Sequence, residues 1–349
     1  MRVLIVKISA LGDVVHALPV LTHIKSAYPE TSIDWLVEEA FAPLLDGHPA
    51  LRRIHRLGLK RWRRQGPGAV WAGVMDTLKE LRSERYDLVL DLQGNCKSGL
   101  FTLLCGAPRR YGFSSSGVRE WPNLLATNHK VQLTAADHHV SDRSLALARA
   151  AFPLGTVRSL AGPMSVSPAA RTAVEKQLCA LGLNGQSLVV LQYGTTWQTK
   201  LWPLDSWQDL ALRMCREDQL RPVLIWGNDE EHRAAEAISR VTDGRALVWP
   251  RGSLQELAAL LERADLVVGG DTGPIHIAAA LETPTVSIFR VTDASRNGPR
   301  GPLHIRLQSP LECSPCLRKD CPRDSECGHS IGVDQVLEAS RALLSRRSM

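Results

Sequence analysis

Short runs of aliphatic residues alternate along the chain with longer stretches in which apolar residues recur every three or four positions. Aliphatic runs bounded by turn-forming residues are typical of strands buried on both faces of a parallel sheet. The intervening stretches, such as SLQELAALLERA, have the spacing of amphipathic helices. The alternation of the two predicts an α/β protein with doubly wound sheets. Strands are predicted at residues 2–8, 33–39, 86–94, 187–194, 221–227, 264–271 and 283–289.

The length of the chain predicts two domains. Its 349 residues exceed what a single hydrophobic core usually organises. The tract SLAGPMSVSPAAR (159–171), rich in Ser, Pro and Gly, is the best candidate linker. We therefore predict Rossmann-like domains over residues 1–160 and 161–330, facing each other across a cleft. Ligands bind beyond the carboxyl ends of parallel strands, so the loops that follow strands are expected to carry the functional residues.

Composition and charge narrow the function classes only slightly. The 42 Lys and Arg against 36 Asp and Glu give a net charge of +6, which suits an anionic partner such as a phosphate or an acidic lipid surface. A nucleic-acid partner is not expected, because the 5% of aromatic residues form no evident stacking platform. No apolar run is long enough for a membrane helix, and Lys7 and Asp13 interrupt the first one. A cytoplasmic protein with reduced cysteines is therefore expected.

The stretch DLVVGGDTGPIHIAAAL leads from a buried strand through a tight turn into a helix. Free N–H groups around Thr272 and Gly273, together with the helix dipole, predict an anion site. His276 in the first helical turn could donate to a phosphate oxygen. In the alternative interpretation Asp271 only caps the turn. The Asp-Thr-Gly triplet also occurs in aspartic proteases, but these need two facing carboxylates and the chain has one copy.

A second polar stretch, YGTTWQTKLWPLDSW, follows another predicted strand. The hydroxyls of Thr195 and Thr196 and the ammonium group of Lys200 suit a diphosphate. A solvated lysine in a Ser/Thr turn is the alternative. After the next strand, Glu230 in WGNDEEHR either accepts hydrogen bonds from ribose hydroxyls or belongs to a solvated helix start.

Two features of the first half have both a structural and a functional interpretation. In KISALGDVVHALPVL, Asp13 lies where an apolar strand turns into an apolar helix, as a helix cap or as a base at a strand end. The loop lacks the Gly-x-Gly-x-x-Gly fingerprint, so this half is a poor dinucleotide binder. The stretch KRWRRQG groups four cations around Trp62, either as solvated surface or as a site for an anionic partner.

Taken together, KISALGDVVHALP, the Thr-Thr…Lys-x-Trp-Pro patch and DTGPIHIAAAL resemble the lipopolysaccharide heptosyltransferase family, most strongly its heptosyltransferase I subgroup. The resemblance implies a GT-B fold and inverting, metal-independent transfer of L-glycero-D-manno-heptose from ADP-heptose to the Kdo region of lipid A. It further implies a peripheral protein at the anionic cytoplasmic face of the inner membrane, and a final helix (331–349) that crosses back to the first domain. The alternatives are a heptosyltransferase II- or III-like enzyme acting on a later core sugar, and a non-catalytic nucleotide-sugar or lipid-surface binding module.

The resemblance also assigns roles by position. Asp13 is expected to be the catalytic base, and Lys200 is expected to assist departure of the diphosphate without a cofactor. Arg290 stands where the family usually has a small residue, on one side of the expected donor pocket. The expected donor contacts are Thr195, Thr196, Lys200, Glu230, Asp271, Thr272, Gly273 and His276. The expected acceptor contacts are Lys60, Arg61, Arg63, Arg64, His139 and Arg143.

Four cysteines lie close together in CSPCLRKDCPRDSEC: Cys313, Cys316, Cys321 and Cys327. One Cys-x-x-Cys pair with looser partners lacks the two paired knuckles that indicate zinc strongly. Two interpretations stay open, namely four reduced thiols on a folded loop and a structural zinc site. A catalytic metal is not expected here.

Overall fold

The structure, a computed structural model, describes residues 1–157 and 162–347. The chain divides into two compact units, Met1–Ser165 and Val166–Met349. The boundary predicted between residues 160 and 161 lies outside the described residues. The end of the predicted linker is helical, because the Ser167 side chain accepts a hydrogen bond from the Ala170 N–H and caps a helix that begins at Pro168.

The first unit contains one six-stranded parallel sheet with the order β3-β2-β1-β4-β5-β6. Its strands are β1 (Arg2–Val6), β2 (Ser32–Glu38), β3 (Leu51–Leu57), β4 (Leu88–Asp91), β5 (Arg109–Phe113) and β6 (His129–Val131). Its helices are α1 (Leu11–Ala17), α2 (Pro19–Ala27), α3 (Leu59–Gln65), α4 (Pro67–Ser83), α5 (Cys96–Leu104) and α6 (Val140–Ala151). Short 3-10 helices span Ala42–Leu44, Trp121–Leu125 and Ala135–Asp137.

The second unit repeats this architecture with the strand order β12-β11-β10-β7-β8-β9, again all parallel. Its strands are β7 (Val189–Gln192), β8 (Val223–Ile225), β9 (Leu247–Val248), β10 (Leu266–Gly270), β11 (Thr285–Phe289) and β12 (His304–Gln308). Its helices are α7 (Pro168–Ala180), α8 (Leu204–Arg216), α9 (Asp229–Val241), α10 (Leu254–Arg263), α11 (Gly273–Ala280), α12 (Ala294–Asn297), α13 (Asp324–His329) and α14 (Val333–Arg347). A 3-10 turn spans Gln198–Lys200. The expected α/β class with two doubly wound units is confirmed.

In both sheets the strand order reverses beside the first strand of the unit. The reversal lies between β1 and β4 in the first sheet and between β7 and β10 in the second. Loops that leave neighbouring strands at such a point run to opposite faces of the sheet and open a crevice at its carboxyl edge, where ligands of doubly wound proteins bind. Asp13 follows β1, Lys200 follows β7 and Asp271 follows β10, so the fold places all three at switch points.

The final helix, α14, packs within the second unit. Val336, Leu337 and Leu343 are at most 2% exposed and belong to the core that also contains strand residues of β7 and β10. The crossing back of this helix to the first domain stays a prediction. No helix of the described residues is long and apolar enough to cross a membrane.

Candidate functional site

The turn between β10 and α11 depends on a close approach of backbones. A Cβ atom on Gly269 would lie 2.9 Å from the Gln192 Cβ and 3.1 Å from the Ile275 Cγ1, so only glycine lets β10 approach β7 and α11 this closely. Thr272 precedes α11 in an extended conformation, and its hydroxyl donates to the Gly270 carbonyl at 3.3 Å instead of capping the helix. The first turn of α11 therefore begins without a side-chain cap on its amide groups.

Asp271, at the end of β10, joins three elements of the second unit. The Lys200 Nζ, from the loop after β7, donates to its Oδ2 at 2.7 Å and to its carbonyl oxygen at 3.3 Å. The His276 Nε2, from α11, lies 3.2 Å from its Oδ1 and must carry the proton to bond a carboxylate. The side chains of Asp271 and His276 are each 6% exposed, and that of Lys200 is 15% exposed. Asp271 therefore does more than cap the turn, because it also binds the side chains of Lys200 and His276.

The charges in this cluster hold Asp271 ionised. Burial alone would raise the pKa of the Asp271 carboxyl, but the hydrogen bond from His276 and the positive charge of Lys200 hold that pKa well below its usual range. Lys200 consequently has a permanent negative partner at neutral pH. An anion arriving at Thr272 and Gly273 would meet an ammonium group whose position Asp271 already fixes.

The other predicted donor residues lie around the same edge of the sheet. Thr195 is half-buried and Thr196 exposed in the loop after β7. Glu230 is exposed in the first turn of α9, where its N–H donates to the capping Asn228 side chain at 3.0 Å. Whether these residues contact a donor stays a prediction.

Glu231, one residue further, has a carboxylate that the loop after β8 binds. Its Oε2 accepts from the Gly227 N–H at 2.7 Å, and its Oε1 accepts from the Asn228 Nδ2 at 2.9 Å. A Cβ atom on Gly194 would overlap this carboxylate, so Gly194 lets the loops after β7 and β8 close on it. Glu230 and Glu231 are adjacent in WGNDEEHR, and the contact of Glu230 with a ribose stays a prediction.

Arg290 is buried and links the loop after β7 to α13 by hydrogen bonds. It is 3% exposed, and its guanidinium donates to the Leu201 carbonyl, after β7, and to the carbonyl and carboxylate of Asp324. The Arg290 carbonyl in turn accepts from the Ser314 hydroxyl at 2.6 Å. The arginine that replaces an expected small residue therefore fastens the cysteine-bearing segment to the loop that carries Lys200.

In the first unit, Asp13 caps its helix. Its Oδ2 accepts from the Ala10 N–H at 3.3 Å at the start of α1, and the side chain stays half-exposed at the carboxyl end of β1. The cap interpretation is therefore confirmed, and it leaves carboxylate surface free to face a ligand. The role of base stays a prediction.

Lys7, immediately after β1, is a buried cation that sequence reasoning passed over. Its Nζ donates to the Leu92 carbonyl at 2.9 Å. Burial lowers the pKa of Lys7, and the negative charges of Asp13 and Asp91 oppose that change. Gln93 accepts from the Ile8 N–H at 3.1 Å and so joins the loops after β1 and β4. The sequence does carry a signal for this residue, because Lys7 directly follows the apolar run RVLIV at the carboxyl end of a buried strand.

The predicted basic acceptor residues on α3 are all exposed: Lys60, Arg61, Arg63 and Arg64. Arg61 is paired with Glu39, its Nη2 lying 3.0 Å from the Glu39 Oε2. Two further cations, Lys97 at the start of α5 and Arg119, belong to this surface. Burial lowers the pKa of the Lys97 ammonium group, Glu38 opposes that change, and the nearby positive charges of Arg63 and Arg119 add to it.

The remaining acceptor candidates lie at the start of α6. His139 is 5% exposed, and its Nδ1 accepts from the Ser141 N–H at 3.2 Å. Arg143 is half-buried, donates to the Gly117 carbonyl at 2.7 Å and lies over the Phe113 ring at 5.4 Å. Both side chains thus have structural contacts, and their contact with an acceptor stays a prediction.

The cysteine cluster does not form a metal site in the described residues. All four cysteines are free thiols, with Cys327 buried and Cys313 exposed. Within residues 1–157 and 162–347, no group of three or more His, Cys, Asp or Glu side chains is placed to hold a metal ion. The structural-zinc interpretation of Cys313, Cys316, Cys321 and Cys327 is therefore not supported.

Comparison with known proteins decides the family. The model of glycosyltransferase family 9, the heptosyltransferases, matches residues 74–326. The chain belongs to glycosyltransferase family 9. It is 36% identical to lipopolysaccharide heptosyltransferase 1 of Pseudomonas aeruginosa, over 92% of this chain and 87% of the relative. It is 31% identical to lipopolysaccharide heptosyltransferase 1 of Escherichia coli K12, over 89% of this chain and 95% of the relative.

Solved structures of family 9 enzymes extend the comparison to the fold. Escherichia coli heptosyltransferase WaaC with ADP is 29% identical with a TM-score of 0.75, over 89% of this chain and 94% of that chain. WaaC with ADP-2-deoxy-2-fluoro heptose is 26% identical with a TM-score of 0.77, over 99% of this chain and 100% of that chain. The GT-B class is thereby confirmed, and this family 9 protein is a glycosyltransferase.

Replacing Asp271 by Asn tests the charged cluster. The variant keeps the shape but leaves Lys200 without its counter-charge, so we expect a loss of about 3 kcal/mol in the free energy of unfolding at pH 7. Exposed Asp229→Asn is the matched control and should change stability by less than about 0.5 kcal/mol. Denaturant unfolding of the full chain measures both.

The same pair of proteins tests the pKa of Asp271 through its pH dependence. Folding lowers this pKa, so the ionised carboxylate stabilises the protein above the unfolded-state value of about 3.9. That contribution is lost as the pH falls below about 4 towards the folded-state pKa. The stability difference between wild type and Asp271→Asn should be constant near neutral pH and shrink below about pH 4. A difference that grew with acidification would contradict an ionised Asp271.

Proposed function

We propose that this protein transfers L-glycero-D-manno-heptose from ADP-heptose to the Kdo region of lipid A in assembly of the lipopolysaccharide inner core. The observation that carries the proposal is the buried Lys200–Asp271 pair beside the uncapped start of α11, at the switch point of the second sheet. The relatives named lipopolysaccharide heptosyltransferase 1, and the WaaC structures with ADP and with an ADP-heptose analogue, support the substrate class.

In the proposed complex the second unit binds the donor. The diphosphate lies against the first-turn amides of α11 and beside the Lys200 ammonium group, where the helix dipole and the cation both favour negative charge. Thr195 and Thr196 offer hydroxyl donors from the loop after β7. Glu231, held at the end of β8, accepts from the ribose hydroxyls, with Glu230 exposed beside it.

The proposed reaction is a direct displacement. The acceptor hydroxyl oxygen forms a bond to the anomeric carbon, its proton passes to the Asp13 carboxylate, and the bond from that carbon to the phosphate oxygen breaks with its electron pair leaving on ADP. Attack opposite the leaving group inverts the anomeric centre. Lys200 and the α11 amides stabilise the charge that develops on the diphosphate, so the proposed step needs no metal ion or cofactor.

The acceptor chemistry fits the first unit. Kdo carboxylates and lipid A phosphates are anions, and the carboxyl edge of the first sheet carries Lys7, Lys97, Arg119 and Arg143 besides the α3 cations. Lys7 and Asp13 lie close enough for their charges to interact, so an acceptor held by these cations would place a hydroxyl near the base.

We further propose that the basic edge of this unit contacts an anionic membrane, on the cytoplasmic face of the inner membrane. The α5 helix and the 3-10 helix Trp121–Leu125 pack together, since the Cys96 N–H donates to Glu120 Oε2 at 2.7 Å and the Asn123 Nδ2 donates to the Asn95 carbonyl at 2.9 Å. Cations beside exposed apolar side chains suit a membrane surface. The exposed apolar residues of the two helices are Leu100, Leu103, Trp121 and Leu125.

Asp13→Asn tests the base without removing the cap. Asn keeps a side-chain oxygen for the Ala10 N–H but cannot take the acceptor proton, so we expect the transfer rate from ADP-heptose to Kdo-lipid A to fall by at least about 100-fold. Stability and ADP affinity should stay at wild-type values. A variant that kept most of its activity would mean that Asp13 is only a cap.

The same assay separates the subgroups. Wild-type protein that is inactive on Kdo-lipid A but active on an already heptosylated acceptor would place it among transferases of a later core sugar. Wild-type protein that binds ADP-heptose and transfers to neither acceptor would favour a binding module.

The membrane surface is tested by matched leucine substitutions. Leu125 and Leu154 are 72% and 73% exposed, and Leu154 lies outside the apolar surface of α5 and the 3-10 helix. We expect Leu125→Ser to weaken co-sedimentation with vesicles of phosphatidylglycerol and phosphatidylethanolamine by about fivefold and Leu154→Ser to leave it unchanged. The proposed membrane surface would be contradicted if both variants bound the vesicles equally well. It would also be contradicted if the wild type bound neutral vesicles as tightly as anionic ones.

A further inference from the structure

The indole of Trp197 contacts two ammonium groups, which come from different parts of the chain. The Lys200 Nζ lies 5.0 Å from the ring centroid, and so does the Lys319 Nζ, from the cysteine-bearing segment (313–327). Both distances are those of a cation–π contact. The two ammonium groups are therefore no further apart than twice 5.0 Å, with the Trp197 ring in contact with both.

The backbone that carries Lys319 is fixed to the same loop. Thr199 is 2% exposed, and its hydroxyl donates to the Arg318 carbonyl at 2.6 Å, one residue away from each lysine. Just before Arg318, the N–H groups of Cys316 and Leu317 donate to the Val291 carbonyl at 3.1 and 2.9 Å. Lys319 is exposed and directly follows a backbone segment, residues 316–318, that these hydrogen bonds fix, which distinguishes it from an ordinary surface lysine.

The Lys200–Asp271 pair does not by itself supply the positive charge that a departing diphosphate needs. Lys200 is paired with Asp271 at 2.7 Å, and the pKa of Asp271 is held low, so the pair carries no net charge. In residues 1–157 and 162–347 the structure records no ion pair for Lys319. A diphosphate that gains negative charge on departure is stabilised more by a cation without a carboxylate partner than by a neutral pair.

We propose that Lys319, held against Trp197, is a second cationic contact to the diphosphate of the nucleotide-sugar donor and stabilises the departing nucleoside diphosphate. The inference rests on the proposed function, because it takes the donor diphosphate to bind beside Lys200. It gives the cysteine-bearing segment a role: Arg290, Thr199 and the Val291 carbonyl hold a loop whose lysine completes the phosphate site.

The test compares Lys319→Ala with Lys319→Arg and with Lys176→Ala, an exposed lysine on α7. Calorimetry measures the dissociation constants of ADP and adenosine, and a transfer assay measures kcat and KM. We expect Lys319→Ala to weaken ADP binding by about tenfold, leave adenosine binding unchanged and lower kcat. Lys319→Arg should restore most of the ADP affinity, and Lys176→Ala should behave as wild type.

The outcomes distinguish this inference from the function on which it rests. If the wild type binds ADP more tightly than adenosine and Lys319→Ala does the same to the same extent, Lys319 does not contact the diphosphate and the proposed donor site stands. If the wild type itself does not distinguish ADP from adenosine, the diphosphate site fails and this inference fails with it. Equal loss of ADP and adenosine affinity would mean a structural role and would overturn the contact.

Discussion

The ion pair between Lys200 and Asp271 is the interaction on which the candidate donor site depends. It joins the loop after β7 to the end of β10, the two neighbouring strands at which the order of the second sheet reverses. A buried carboxylate is costly unless charges and hydrogen bonds compensate it, and here an ammonium group and an imidazole do so. The result is a cation and a helix start fixed in place before any ligand arrives, so that little ordering remains to be done on binding.

The central strands of both sheets follow from the sequence because they are buried on both faces. β1, β2, β4, β7, β8, β10 and β11 coincide with the predicted aliphatic runs. The strands that the pattern missed are the four edge strands, β3, β6, β9 and β12, and β5, which lies next to an edge. An edge strand has one neighbour and more contact with water. LRRIHRL of β3 and HIRLQ of β12 accordingly carry charged residues, and these interrupt the aliphatic runs from which strands were predicted. Because these central strands are parallel neighbours, the loops that follow them lie at the same edge of each sheet.

The site could be predicted only as far as local patterns extend. The Asp-Thr-Gly turn lies in one strand-turn-helix motif, so its neighbourhood is visible in the sequence. Contacts between distant segments are not: Lys200 and Asp271 are 71 residues apart, and Thr199 and Arg318 are 119 apart. For the same reason the cations that follow β1 and β4 could not be grouped with those of α3 before the fold was known. The partners of Arg290, the carbonyl and the carboxylate of Asp324, are likewise distant in sequence.

The central claim is that the Lys200–Asp271 cluster is a diphosphate site of a glycosyl donor. A crystal structure of the protein with ADP tests it most directly. We expect phosphate oxygens within hydrogen-bond distance of the Lys200 Nζ and of the first-turn amides of α11, with the ribose towards Glu231. ADP bound elsewhere, with Lys200 still paired only to Asp271, would contradict it.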